Sequence, residues 1–106
     1  MNLLHVYPQE QWHDDAFIVG NRLGLEALRD AISEALLGKG RAKTDAYVTD
    51  GEGYEIKILC EDLEWKEDFW NNLSFPYTDE PAKDARPNRE VPWDIWGREE
   101  TFIARF

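Results

Sequence analysis

The segment from Asn21 to Gly40 constrains the fold more than any other, because its apolar residues recur at helical spacing between a cap and a stop. Leu25, Leu28, Ile32, Ala35 and Leu36 fall within about 100° of arc, while Glu26, Asp30, Ser33 and Glu34 take the other side. Asn21 is a natural N-cap, since its side-chain oxygen can accept one of the N–H groups that the first helical turn leaves without a partner. Gly38 and Gly40 supply the stop, because the left-handed residue that ends a helix costs least as glycine. Lys39, Arg41 and Lys43 then follow the C-terminus, where the macrodipole favours cations. The spacing predicts one long helix from Arg22 to Leu37, with its leucine and isoleucine stripe against a sheet.

Strands flank that helix. Leu3, Leu4, Val6 and Tyr7 read as a first strand ended by Pro8, which has no N–H to give to a ladder. Ala16-Phe17-Ile18-Val19 reads as a second, turning at Gly20-Asn21. Beyond the helix, Asp45 to Thr49 and Tyr54 to Cys60 flank Asp50-Gly51-Glu52-Gly53, and an Asp-Gly pair between β-prone runs is a hairpin signal. Tyr54, Ile56, Ile58 and Cys60 alternate with Glu55, Lys57 and Leu59, so one apolar face, shared with Ala46 and Val48, turns toward the helix. The expected fold is α+β: a small, mixed but mainly antiparallel sheet with one long helix packed on one face and an extended C-terminal segment.

A second, short helix is expected with Asp62 as its cap, Trp65, Phe69 and Leu73 on one stripe, and Asn71-Asn72 at its end. Prolines 81, 87 and 92 break the stretch 78–92 into loop. Trp93 and Trp96, around Asp94-Ile95, are expected to anchor that loop, and Thr101 to Phe106 is strand-like. No internal repeat or composition shift divides residues 1–106, which read as a single domain.

At 106 residues such a domain buries roughly two thirds of its unfolded surface, enough for one core without staples. Aromatics at 13% set it apart from disordered chains of similar charge. The single Cys60 lies in an apolar run and excludes a disulfide-built secreted domain. The N-terminal residues lack the pattern of a signal peptide, and no run approaches the roughly 20 apolar residues that cross a bilayer. A cytoplasmic protein is expected. With 22 acids against 12 bases the net charge is −10, which opposes direct contact with nucleic acid or an anionic membrane and favours solubility and basic partners. The sequence carries no signal for oligomeric state.

Few residues point to chemistry. His5, His13, Asp14 and Asp15 alone resemble metal ligands or an acid/base set, and would serve a small metal-dependent hydrolase only if a loop converged them. Cys60 as a nucleophile would need a nearby base, but Glu61 and Asp62 follow it instead. Gly20-Asn21-Arg22-Leu23-Gly24 stands where phosphates bind, yet lacks the three-glycine fingerprint and a P-loop lysine, so cap chemistry explains it. Asp50, Glu52 and Glu55 lack the twelve-residue calcium loop. No cofactor is implied, and a binding protein is expected rather than an enzyme.

The segment Glu61 to Trp70 concentrates five acids and three aromatics against one lysine. Trp65 and Phe69 read as core anchors. Trp70 lies off their stripe and reads as an exposed anchor, of a residue type enriched among those that dominate binding energy. Glu61, Asp62, Glu64, Glu67, Asp68 and Trp70 are therefore the candidate partner-binding residues, with the acids steering a basic protein. Carboxylates spaced along one surface would also suit an acidic mimic of nucleic acid.

Leu23 to Ile32, Asp50 to Ile56 and Phe75 to Asp79 together resemble a pattern of small, uncharacterised bacterial proteins. In size, acidity and α+β character the whole chain is also similar in type to immunity proteins of contact-dependent and polymorphic toxin systems. That second resemblance implies a noncatalytic cytoplasmic inhibitor that binds a toxin.

Overall fold

The computed structural model describes residues 1–11, 13–64, 66–76 and 90–98. The fold is α+β. Strand β1 (Leu4–Tyr7) pairs antiparallel with β2 (Phe17–Gly20), and β3 (Arg41–Tyr47) pairs antiparallel with β4 (Gly53–Leu59). One parallel bridge between Leu3 and Tyr47, with the Tyr47 N–H donating to the Asn2 carbonyl at 2.8 Å, joins the two hairpins where a single mixed sheet was expected. Helix α1 (Arg22–Glu34) packs mainly on β3 and also meets β2 and β4.

Asn21 seats α1 more firmly than a cap alone would. Its Oδ1 accepts the Gly24 N–H at 2.8 Å and the Leu3 N–H at 3.1 Å, and its Nδ2 donates to the Met1 carbonyl at 2.9 Å. Its backbone N–H donates to the Leu3 carbonyl at 3.1 Å. One residue thus satisfies the first helical turn and ties it to the chain entering β1. The helix ends through the turn Ala35–Lys39, where the Gly40 N–H reaches back to the Ala35 carbonyl at 3.2 Å and Gly40 takes φ 75°, as its glycine predicted.

The buried face of α1 is only partly the expected one, since of the predicted stripe Ala35 is buried and Leu28 half-buried. Gly24, Ala31 and Ala35 are buried, whereas Leu25, Ile32 and Leu36 are 44%, 40% and 66% exposed. The register explains this: Ala42 lies opposite Ile58 and Ala46 opposite Tyr54, so the sheet presents alanines to the helix. Ala31, Ala35 and Ala42 form one cluster, with Ile58 and Cys60 against it. Small residues on both layers let the backbones approach closely and turn the larger stripe outward. Cys60 sits beside that cluster, as the reading of a structural thiol required.

The hairpin forms at the expected turn, but its first strand runs over Arg41–Tyr47 rather than Asp45–Thr49. The ladder starts directly after the helix stop, where the Cys60 N–H donates to the Gly40 carbonyl at 2.8 Å. At the other end Val48 and Thr49 belong to the turn, closed by the Val48 N–H on the Glu52 carbonyl at 3.0 Å. On its outer face Lys43 stands opposite Lys57 and Asp45 opposite Glu55, a like-charged arrangement relieved by the diagonal Lys43–Glu55 pair at 3.1 Å. Lys43, by hydrogen bond and charge, holds the Glu55 carboxyl below the usual carboxylate range.

One end of that outer face, at Arg41 and Lys57, is engaged by a further helix. Helix α3 (Pro92–Gly97) lays Trp96 on it, with the Arg41 guanidinium 3.8 Å and the Lys57 ammonium 5.2 Å from the ring centroid. Arg41 also donates from Nη2 to the Trp96 carbonyl at 2.9 Å. Arg41, expected to complement the end of α1, thus serves the last turn of α3. Trp96 is an anchor as expected; Trp93 is not, being 73% exposed, while Ile95 between them is buried. Pro92 opens α3 at its first turn, so the loop expected over 78–92 ends earlier, and its residues 78–89, like the strand-like 101–106, lie outside the described residues.

Candidate functional site

Helix α2 (Asp68–Asn72) begins at a Glu67 cap, five residues later than the expected Asp62. A helix from Asp62 would have stacked Glu64, Glu67 and Asp68 at spacings of three and four, where like charges repel. The chain instead makes a turn, with the Glu67 N–H on the Glu64 carbonyl at 2.9 Å. It does end at Asn71-Asn72 as expected, and the Leu73 N–H closes it on the Phe69 carbonyl at 3.1 Å. Trp65, expected on the same stripe as Phe69, lies outside the described residues.

Trp70 is the clasp of this segment. Its indole N–H donates to the Leu63 carbonyl at 2.9 Å, and its ring meets Phe69 edge-on at 5.0 Å between centroids. Trp70 as a whole remains 38% exposed. The polar end of Trp70 therefore fixes the loop before α2, and part of the residue stays at the surface.

Around this clasp Asp62, Glu64, Glu67 and Asp68 are exposed, and Glu61 is half-buried with contacts inside the chain. Among the described residues no ion pair or side-chain hydrogen bond engages the four exposed carboxylates. Five cations are occupied elsewhere: Arg29 by Asp30 at 3.0 Å, Lys43 by Glu55, Arg98 by Glu90 at 3.0 Å, and Arg41 with Lys57 by Trp96. The candidate residues thus divide into a mount, Glu61 and Trp70, and a rim of four carboxylates.

A second junction positions this rim. Leu73 bridges Glu90 in parallel, and the Ser74 N–H donates to the Glu90 carbonyl at 2.7 Å. Helix α2 leads into that junction and α3 leads away, so the rim is tied through α3 to Trp96 and the β3–β4 hairpin. Trp93, the most exposed of the described tryptophans, is the surface aromatic that sequence reasoning missed; its place beside the buried Ile95, on the opposite side of a short helix, was the available signal.

The residues suggestive of a hydrolase are differently placed. His5 lies on β1, where its Nε2 accepts the Thr49 N–H at 3.1 Å and its Nδ1 stands 2.7 Å from the Tyr7 hydroxyl. An acceptor Nε2 in a neutral ring places the proton on Nδ1, which donates to Tyr7. His5 is thereby a fastener between β1 and the β3–β4 turn, in a hollow shared with Val6, Val48 and Tyr54. Tyr54 closes the same junction by donating to the Leu4 carbonyl at 2.5 Å, and burial pushes its phenol up. His13 adopts φ 68° in the loop before β2, and no group of three or more His, Cys, Asp or Glu among the described residues could hold a metal ion. Nitrogen-15 NMR, at a pH where the His5 ring is neutral, is expected to show His5 as the Nδ1–H tautomer; a neutral ring protonated on Nε2 would contradict the Thr49 bond.

Among the described residues no helix is long and apolar enough to cross a membrane. No protein-family description, curated protein or solved structure matches this chain.

Proposed function

We propose that this chain is a noncatalytic acidic binding protein, an immunity-type inhibitor that meets a basic protein partner in the cytoplasm. The observation that carries the reading is the rim of four exposed carboxylates, none engaged by a cation among the described residues, on a loop clasped by Trp70. Charges left this way raise the rate at which an oppositely charged protein arrives, and the exposed part of the Trp70 ring offers apolar contact once it has docked. The net charge of −10 extends the same attraction beyond the rim.

The reading is tested by replacing Asp62, Glu64, Glu67 and Asp68 with Asn or Gln, leaving Glu61 and Trp70 in place. Captures from the host at low and moderate salt, followed by binding kinetics on the recovered protein, compare the variant with the parent chain. A basic partner whose association slows roughly ten- to hundredfold on neutralisation supports the proposal. Recovery of no partner, or association indifferent to the four substitutions and to salt, overturns it.

A further inference from the structure

We infer that Trp93 is a second docking point for the same partner, a ring that receives an arginine side chain. The inference rests on the reading that the partner is a basic protein. Trp93 is 73% exposed, and among the described residues neither its ring nor its indole N–H has a partner. At about 100° per residue, Ile95 stands on the opposite side of α3 and is buried, whereas Asp94 and Gly97 share the outward side with Trp93. Asp94 is exposed and makes no ion pair among the described residues. Gly97 lies one turn on, where a side chain would lean back toward the ring, and a carbon added there would meet nothing within 4 Å. The helix thus leaves the space beside the indole open.

The chemistry of this spot selects a cation. An indole face is electron-rich, and a carboxylate beside it adds to the attraction. Asp94, in the first turn, also offsets the partial positive charge of the helix start, which would oppose a cation. Of the two cationic side chains, the planar guanidinium stacks on a ring in a way the compact ammonium cannot. The other tryptophan of α3 shows the difference: the Arg41 guanidinium lies 3.8 Å from the Trp96 centroid and the Lys57 ammonium 5.2 Å. No cation of the described residues occupies Trp93 in this way, so its arginine comes from another chain, which the net charge of −10 draws in. Glu90, three residues before Trp93, is bonded through its backbone to Asn72 and Ser74. That junction ties the ring to the helix at which the acidic rim ends.

The probes are hexa-arginine and hexa-lysine peptides, equal in charge, titrated into the nitrogen-15-labelled full chain at low salt. Hexa-arginine is expected to move the Trp93 indole N–H resonance to saturation. Trp93→Leu, which removes that resonance and so assigns it, should raise the dissociation constant about two- to fivefold. Gly97→Leu, which fills the open space without changing charge, should raise it by a similar factor at an unchanged melting temperature. Hexa-lysine should bind the carboxylates yet move the Trp93 resonance less. With Asp62, Glu64, Glu67 and Asp68 neutralised, hexa-arginine should bind more weakly and still move that resonance, which keeps a failure of the rim distinct from a failure of the ring. A Trp93 resonance that hexa-arginine leaves in place, or that both peptides move alike, overturns the inference. So does a Trp93→Leu chain that binds hexa-arginine as tightly as the parent.

Discussion

Replacing Gly24 with alanine is expected to destabilise the fold by about 3 kcal/mol or more, the opposite of what helix propensity dictates. In an exposed helix the change would gain about 1 kcal/mol, because alanine loses less backbone freedom than glycine. Here a Cβ on Gly24 would lie 2.0 Å from the Leu3 carbonyl oxygen and 2.8 Å from its carbon. Both are backbone atoms, so no rotamer change relieves the clash. The helix must withdraw from the chain entering β1, breaking the bonds that join Asn21 to Leu3 in both directions. A loss of this size is a large part of the roughly 5–15 kcal/mol that holds a domain folded, and should lower the melting temperature by about 10 °C or more. Gly97→Ala is the control, since nothing lies within 4 Å of the added carbon there. Thermal denaturation of the two variants decides the matter, and an unchanged or stabilised Gly24→Ala would refute the close approach of α1 to Leu3.

The same contact shows why sequence reasoning reached the elements of this fold before their packing. The Asn21 cap on Gly24, the Gly40 stop and the Asp50-Gly51 turn act on residues a few positions away, so local chemistry was enough to place α1 and the hairpin. The choice of buried face on α1 depends on what opposes it. Hydrophobic periodicity assigned Leu25, Ile32 and Leu36 to the interior because they are large, whereas Ala42, Ala46 and the Leu3 backbone admit only small residues. A small-residue stripe was present in the sequence at Gly24, Ala31 and Ala35, but its meaning required the alanines of β3 across from it. The candidate site divided in the same way. Its acids were evident as a local run, yet the clasp between Trp70 and the Leu63 carbonyl and the junction between Leu73 and Glu90 join positions that no periodicity relates.

Trp96→Ala is expected to cost about 2–3 kcal/mol, and to weaken the proposed partner binding without altering any carboxylate of the rim. The ring holds α3 to the outer face of the β3–β4 hairpin through two cations, and its carbonyl receives the Arg41 guanidinium. Trp96→Phe should retain part of the stacking and lose about 1 kcal/mol, because the smaller ring attracts cations less. Arg41→Lys should fail to restore what Arg41→Ala loses, since a lysine has neither the plane that stacks nor the fork that reaches the carbonyl at the same time. The Arg41→Ala and Trp96→Ala losses should fall short of additive by about 1 kcal/mol in a double-mutant cycle, the mark of a shared contact. Additive losses would mean that α3 is held by something else. Because α3 leads away from the Glu90 junction and α2 leads into it, freeing α3 loosens the base on which the acidic loop stands. Binding kinetics of Trp96→Ala therefore separate two sources of affinity: a slower arrival belongs to the carboxylates, whereas a faster departure at unchanged arrival belongs to the rigidity of their mount.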